Sequence, residues 1–336
     1  MFDKELLEVG LGLLQMCGLN PIKRNRIVLI NLCIGTVLTA THFALLLFEF
    51  VYRWNGVETL EFLGEFLVGY CQAIPKLLTI IHNEDKFVKL ISKVYQFDNH
   101  KRVNSSLEAK LNGIFKQFKM AITFYMFSAS VAVFLTFGRP LVMNLRVLPV
   151  PLHVFFDATK SPFYEIFYVV ETVEYVFIVF IIAGSDILFF SLISFVYYEL
   201  VIVTNKFESF VISDDCVKQF GDIVEHHDSI MSCICDLNSI YSTFFLNQFF
   251  CSMCGSCMSI LILTSNNLLV GNAIFHASWW IEAPTSLKQN IAMVIQRAQR
   301  NASISVGEIL NLDLELCTTV LQASLSFLNT ILALKK

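Results

Sequence analysis

From Leu237 to Ile281 the chain carries no Asp, Glu, Lys or Arg. That run of roughly 45 residues is more than twice the ~20 apolar residues that carry a helix through hydrocarbon. Such runs recur. Ile27–Phe48 is uncharged, with only His42 as a titratable group, and Met120–Gly138 is uncharged throughout. A closing stretch, about Leu312 to Leu334, is free of charge from Leu316 on. Two further stretches are apolar but interrupted. About Glu58 to Ile81 holds Glu61, Glu65, Pro75 and Lys76, and about Pro162 to Phe190 holds Glu165, Glu171, Glu174 and Asp186. Ionised groups are costly in lipid, so these are expected to face protein or water, or to sit near an interface.

The fold class that follows is all-α, a polytopic bundle of membrane helices. Composition agrees: charged residues are 15% of the 336 and mean hydropathy is +0.63, against about 25% charged in soluble domains. A net charge of −4 gives no reason to expect nucleic acid as a partner. The count of spans is six or seven. Leu237–Ile281 is too long for one span and barely enough for two. Either one span is lost there or the run makes a compressed hairpin turning at Asn266-Asn267, with a short second arm.

Basic residues set the orientation. They gather in residues 1–26 (Lys4, Lys23, Arg24, Arg26) and after the second span (from Lys86 to Lys119), while the loop after span one has only Arg53. The N-terminus is therefore expected in the cytoplasm, residues 139–162 outside, and residues 198–240 inside as a helical extension. Residues 1–26 do not read as a signal peptide, because Asp3, Glu5 and Glu8 precede the apolar part. Residues 284–300 form an amphipathic helix that starts at a Thr285/Ser286 cap after Pro284. Leu287, Ile291, Val294, Ile295 and Ala298 share one face, and Lys288, Gln296, Arg297 and Arg300 the other.

Metal chemistry has weak support. Cys251, Cys254 and Cys257 repeat every three residues without a His at ligand spacing and read as small residues in helix packing. His226-His227-Asp228 near Cys233 and Cys235 reads as a solvated helix. No metal or cofactor is expected.

The last span, residues 312–334, has an unusual face. Thr319, Gln322, Ser326 and Asn329 step by three, four and three residues and so line one side of a helix, with Thr330 beside them. Isolated hydroxyls on a membrane helix mostly bond neighbouring helices or their own backbone. A row with both Gln and Asn has more bonding groups to satisfy, and a water-lined path would satisfy them.

Several motifs resemble the insect odorant-receptor family. "SWWIEAPTSLKQNIAMVIQRAQR" followed by "LNLDLELCTTVLQASLSFLNTIL" is similar to the family's C-terminal pattern through Trp279 or Trp280, Lys288, Arg297-Ala298-Gln299, Leu312, Leu314 and Ala323 to Phe327. "CGLNP" at Cys17–Pro21 resembles the family's segment before span one, and "LPVPLHVFFDATKSPFYEIFYVVE" its second outer loop. Two Tyr of the C-terminal pattern are replaced, by Leu325 and Phe327, and the region around spans five and six is shortened.

The resemblance implies a ligand-specific receptor subunit, not an enzyme, in the plasma membrane of olfactory sensory neuron dendrites. It implies seven spans and a heterotetramer with a shared coreceptor that forms a non-selective cation channel opened by small volatile apolar molecules. By this likeness Thr319, Gln322, Ser326, Asn329 and Thr330 line the pore, and Leu328, Ile331 and Leu332 form its gate. Residues 284–300 become a cytoplasmic anchor between subunits, through Leu287, Ile291, Ile295 and Arg297. The ligand pocket falls among the outer halves of the spans, with Phe66, Tyr70, Val131, Phe134, Tyr168, Thr172 and Tyr175 as candidate walls. If the shortening removes one span, the last helix is inverted and leaves the pore register. Asn301-Ala302-Ser303 is a glycosylation sequon that faces out with six spans and in with seven.

Three rival classes remain in view. A G-protein-coupled receptor would carry Asp-Arg-Tyr after span three, which is absent, and the opposite orientation. A gustatory-type receptor would show Thr-Tyr…Gln-Phe in the last span. A transporter would show internal repeats, and only Pro75-Lys76 hints at a broken helix.

Overall fold

The structure is a computed structural model. It describes residues 4–22, 26–54, 57–97, 105–143, 146–150, 152–154, 158, 160–210, 216–276, 285–298, 304–306 and 310–312, with Thr318, Thr319, Gln322 and Ser326 near the end. Among these the helices are α1 (Glu5–Met16), α2 (Arg26–Tyr52), α3 (Val57–His82), α4 (Glu84–Phe97), α5 (Ser105–Val142), α6 (Phe163–Glu208), α7 (Cys216–His276) and α8 (Thr285–Ala298). Among the described residues, three helical stretches are long and apolar enough to cross a membrane: Arg26–Tyr52, Leu111–Val142 and Phe163–Glu208. The fold is the helical membrane bundle the uncharged runs imply.

The chain divides into two units. One comprises residues 1–45 and 70–247, and the other 46–69 and 248–336. In the first, the N-terminal segment is a helix whose Leu6, Leu7, Gly10, Leu11 and Leu14 are buried. It packs on α6 at two glycines. A Cβ on Gly10 would come within 3.0 Å of the Leu188 backbone nitrogen, and one on Gly184 within 3.0 Å of Leu14 Cγ. Small residues let the two backbones approach this closely.

The end of α6 and the start of α7 run antiparallel, which is how residues 198–240 extend the bundle. Phe189 meets Tyr241 at 4.7 Å between ring centroids, and nearer the turn Glu199 meets His226 at 3.0 Å. α4 buries Phe87, Leu90, Ile91 and Val94, spaced i, i+3, i+4, i+7, in the same core. Its Lys93 pairs with Asp236 at 2.9 Å. The expectation of a solvated His226 is corrected here. His226 is buried, with Nε2 on Glu199 and Nδ1 3.2 Å from the Lys206 ammonium. Its i+1 neighbour His227 points to solvent, because adjacent positions on a helix lie about 100° apart. Among the described residues no group of three metal-ligating side chains forms.

α7 corrects a second expectation. It remains one helix of 61 residues through Asn266 and Asn267, about 90 Å at 1.5 Å per residue. The hairpin is absent. Asn tolerates a helix interior at a cost of well under 1 kcal/mol, and no Gly or Pro at that point forces a reversal.

In the second unit, Arg53 pairs with Glu49 one turn earlier at 2.6 Å, and the Thr59 hydroxyl donates to the Arg53 carbonyl at 2.7 Å. α8 starts at Thr285, as its cap predicts, with Ile291 buried and Lys288 exposed. Val294, assigned to the apolar face, is exposed. Residues 304–312 hold a short antiparallel pair, β1 (Ile304–Val306) and β2 (Leu310–Leu312), with Ile304 opposite Leu312. Leu312 is thus in a strand rather than at the start of the last span. The β-branched residues at both ends of β1 favour that pairing.

Candidate ligand site

A polar cluster sits inside the first unit where its apolar helices meet. Glu171 and Glu174, one turn apart on α6, are 0% and 1% exposed. Tyr70 of α3 donates its hydroxyl to Glu174 Oε2 at 2.9 Å. His42 of α2 places Nδ1 3.2 Å from the same oxygen, near enough for charge pairing but poorly aligned for a hydrogen bond. Glu171 Oε2 accepts from the backbone N–H of Val150 at 3.1 Å. That bond folds the loop before α6 back onto the helix and buries Val150 and Leu152.

Aromatic rings surround this cluster. Phe137 of α5 lies 5.0 Å from Tyr175 and 6.5 Å from Tyr168, and Phe43 lies 5.7 Å from Tyr70. The Tyr168 hydroxyl donates to the Phe137 carbonyl, next to Gly138 and three residues before Pro140, which sits inside α5. Rings with few polar groups make walls suited to a small apolar molecule.

The candidate walls separate into three groups. Tyr70, Tyr168, Thr172 and Tyr175 face this region, and the Thr172 hydroxyl bonds its own helix at the Tyr168 carbonyl. Val131 and Phe134 do not join them. They are 39% and 69% exposed on α5, whereas Phe137 of the same helix is buried at 6%. Phe66 lies in the second unit. Sequence reasoning missed His42, Phe137, Val150 and the two glutamates as site residues. The available signal was an ionisable side chain inside an apolar run, which by default marks a functional position in a membrane protein.

A second buried pair lies about 18 Å further along α6, at 1.5 Å per residue. Lys76 Nζ is 2.7 Å from Asp186 Oδ1, and the Tyr125 hydroxyl donates to Oδ2 at 3.2 Å. Of the interrupting charges of α3 and α6, Lys76, Glu171, Glu174 and Asp186 therefore face inward and Glu65 and Glu165 are exposed, while the side chain of Glu61 lies outside the described residues.

Of the last-span positions, Thr319, Gln322 and Ser326 are helical and exposed, so that row stays unburied. Asn329, Thr330, Leu328, Ile331 and Leu332 lie outside the described residues. So does the side chain of Leu287, and that of Arg297, within α8. Ile291 is buried and Ile295 half-buried.

Residues 65–267 and 261–325 match the family model described as 7tm odorant receptor. The fold is similar to the solved insect olfactory receptor OR5 from Machilis hrabei in complex with eugenol. That match has TM-score 0.60 and 17% identity, covering 99% of this chain and 98% of that one. A second structure of the same receptor gives TM-score 0.61 and 20% identity over 98% and 97%. No curated protein matches the chain.

Proposed function

Since the chain belongs to the odorant-receptor family, whose members are membrane receptors and not enzymes, we propose that it is a ligand-specific subunit. In this reading it binds a small volatile apolar molecule and gates a cation channel formed with a shared coreceptor in the sensory neuron's plasma membrane. The observation that carries the reading is the aromatic cluster of Tyr70, Phe137, Tyr168 and Tyr175 inside the bundle. By the basic-residue orientation it falls in the outer half of the membrane. A solved relative in complex with eugenol supports a ligand of that size and character. The test is whole-cell recording of the chain co-expressed with a coreceptor during an odorant screen. A cation current that needs both subunits and survives G-protein block supports the proposal. A response abolished by G-protein block overturns it in favour of G-protein coupling.

The conducting path has two readings. In the first, Thr319, Gln322, Ser326, Asn329 and Thr330 line this subunit's share of the pore. Leu328, Ile331 and Leu332 then gate it by dewetting, and α8 is a cytoplasmic anchor between subunits. The second is favoured by the unbroken α7 and by the family match, which breaks into two pieces overlapping at residues 261–267. One rod makes one crossing, so the chain has six, the last helix runs inward, and partner subunits supply the pore. A tag placed after Lys336 separates them: staining of intact cells means the first, and staining only after permeabilisation the second.

A further inference from the structure

A cavity of about 250 Å³ lies on the opposite side of α6 from the aromatic cluster's α5 wall. Met16, the α2 residues Asn31, Ile34, Gly35 and Leu38, and Val173, Glu174 and Phe177 of α6 line it. It is below the ~300–1,000 Å³ of pockets for drug-sized ligands, so it suits a small molecule. Its rim is open at the surface, since Met16, Ile34 and Val173 are well exposed, and Ile34 and Val173 belong to helices long and apolar enough to cross a membrane. An apolar molecule dissolved in the membrane can therefore reach it.

The wall is apolar apart from Glu174 and the Asn31 carboxamide. Glu174 is 1% exposed and has both its partners, Tyr70 and His42, on Oε2. Oε1 has no hydrogen-bond partner, and the same holds for the buried Oε1 of Glu171 and Oγ1 of Thr39, one turn before His42. A carboxylate offers about four lone-pair sites, and buried acceptors left unpaired are rare in folded proteins. The local charge is also unbalanced. Glu174 has one imidazole, that of His42, within charge-pairing distance, and the Lys76 ammonium is committed to Asp186.

We propose that this crevice binds a small apolar amine. The ammonium group donates to Glu174 and the hydrocarbon tail packs on Ile34, Leu38, Val173 and Phe177. An ammonium supplies both the missing donors and the missing positive charge, which neither an alkane nor a lipid tail does. The site shares Glu174 with the aromatic cluster but opens between α2 and α6, and it does not depend on channel gating.

The test is thermal unfolding of the purified full chain in detergent with hexylamine, hexanol or hexane at equal concentration and fixed pH. A ligand that binds the folded state raises the midpoint in a concentration-dependent way. Hexylamine is expected to give the largest rise. Glu174→Gln keeps an acceptor for Tyr70 and removes the charge, so the advantage of amine over alcohol is lost. Leu38→Trp fills the crevice while leaving the carboxylate, so it removes the hexylamine shift and keeps the proposal testable if Glu174→Gln fails to fold. Equal shifts from hexylamine and hexanol overturn the amine assignment. A shift from hexane as large as that from hexylamine identifies an acyl-chain groove instead. An amine shift that survives Leu38→Trp places the binding elsewhere. A failed odorant screen with an intact hexylamine result would refute the channel reading and leave this site standing.

Discussion

The ammonium of Lys76 lies 2.7 Å from the carboxylate of Asp186, and the Lys76 side chain is 1% exposed. The Phe244 ring sits 4.7 Å beneath the same ammonium. One pair thus accounts for two charges that the apolar stretches of α3 and α6 could not place by themselves. Removing one partner strands the other in an apolar core, at a cost of roughly 3–5 kcal/mol. Lys76→Met alone and Asp186→Leu alone are expected to lose most folded protein at the cell surface. The double variant recovers it, because replacing a whole buried pair with apolar groups is near neutral. Size-exclusion profiles of fluorescent fusions would measure this, and a double variant as poor as the singles would disprove the pairing.

The crossing of α1 and α6 is set by Gly10 and Gly184. Gly184→Leu puts side-chain atoms where Leu14 already packs. Overpacking of this kind costs about 1–3 kcal/mol, so the thermal midpoint should fall. Gly12 lies in the same helix with open space around its Cβ position, and Gly12→Ala should leave the midpoint unchanged or raise it, since Ala is favoured over Gly in a helix interior by about 0.5–1 kcal/mol.

Burial pushes the Cys17 thiol up to about 12 from an ordinary value near 9, and raises Cys233 as well. The reactive form is the thiolate, so both should label slowly with maleimide at neutral pH. Cys235, two residues from Cys233 and exposed, should label fast. The sign for stability follows. Because the folded Cys17 holds its proton more tightly, its contribution is fully present below about pH 9. It is lost as pH rises through about 12. Labelling followed by mass spectrometry reads the order directly, and rapid labelling of Cys17 in the folded chain would contradict its burial.

If the aromatic cluster holds the ligand as proposed, Tyr175→Ala should weaken odorant-evoked current and Phe134→Ala should not. Loss of a buried aromatic contact is worth about 1.5–3 kcal/mol, roughly ten- to a hundredfold in half-maximal concentration. Phe134, 69% exposed, contributes little to any interior wall. Dose–response curves decide, and a larger effect at Phe134 would move the pocket to the outer face of α5.

The unbroken α7 also makes a covalent prediction. With one crossing there, Asn301 faces outward and should carry a glycan removable by endoglycosidase, while a tag after Lys336 stays inside. An unmodified Asn301 with an externally stained tag would restore seven crossings and the pore role of Thr319, Gln322 and Ser326.

The elements were legible to different degrees. Ile27–Phe48 lies within α2 and Glu58–Ile81 within α3, because apolar length is a property of the chain alone. α8 begins at Thr285 because a cap and a 3.6-residue pattern are local as well. The predicted walls fared unevenly for a related reason. An aromatic side chain in a membrane helix is compatible with lipid and with protein, so neither Phe134 nor Tyr175 announces which it meets. His226 shows the same limit: beside His227 and Asp228 it looks solvated, and only the antiparallel return of α7 along α6 brings Glu199 to it.

The sequence by itself determined that this chain is a bundle of membrane helices with basic residues gathered at its N-terminus and after its second span. Its motifs already pointed to the odorant-receptor family. Hydrophobic length, basic-residue placement and short motifs are read along the chain and need no partner. Tertiary structure decided which charges are neutralised and by what, since Tyr70 meets Glu174 across 104 positions and Lys76 meets Asp186 across 110. It also decided that α7 does not turn at Asn266-Asn267. In hydrocarbon a buried ion must find its counter-charge in three dimensions, and a helix with no backbone breaker continues until its packing or its solvent changes.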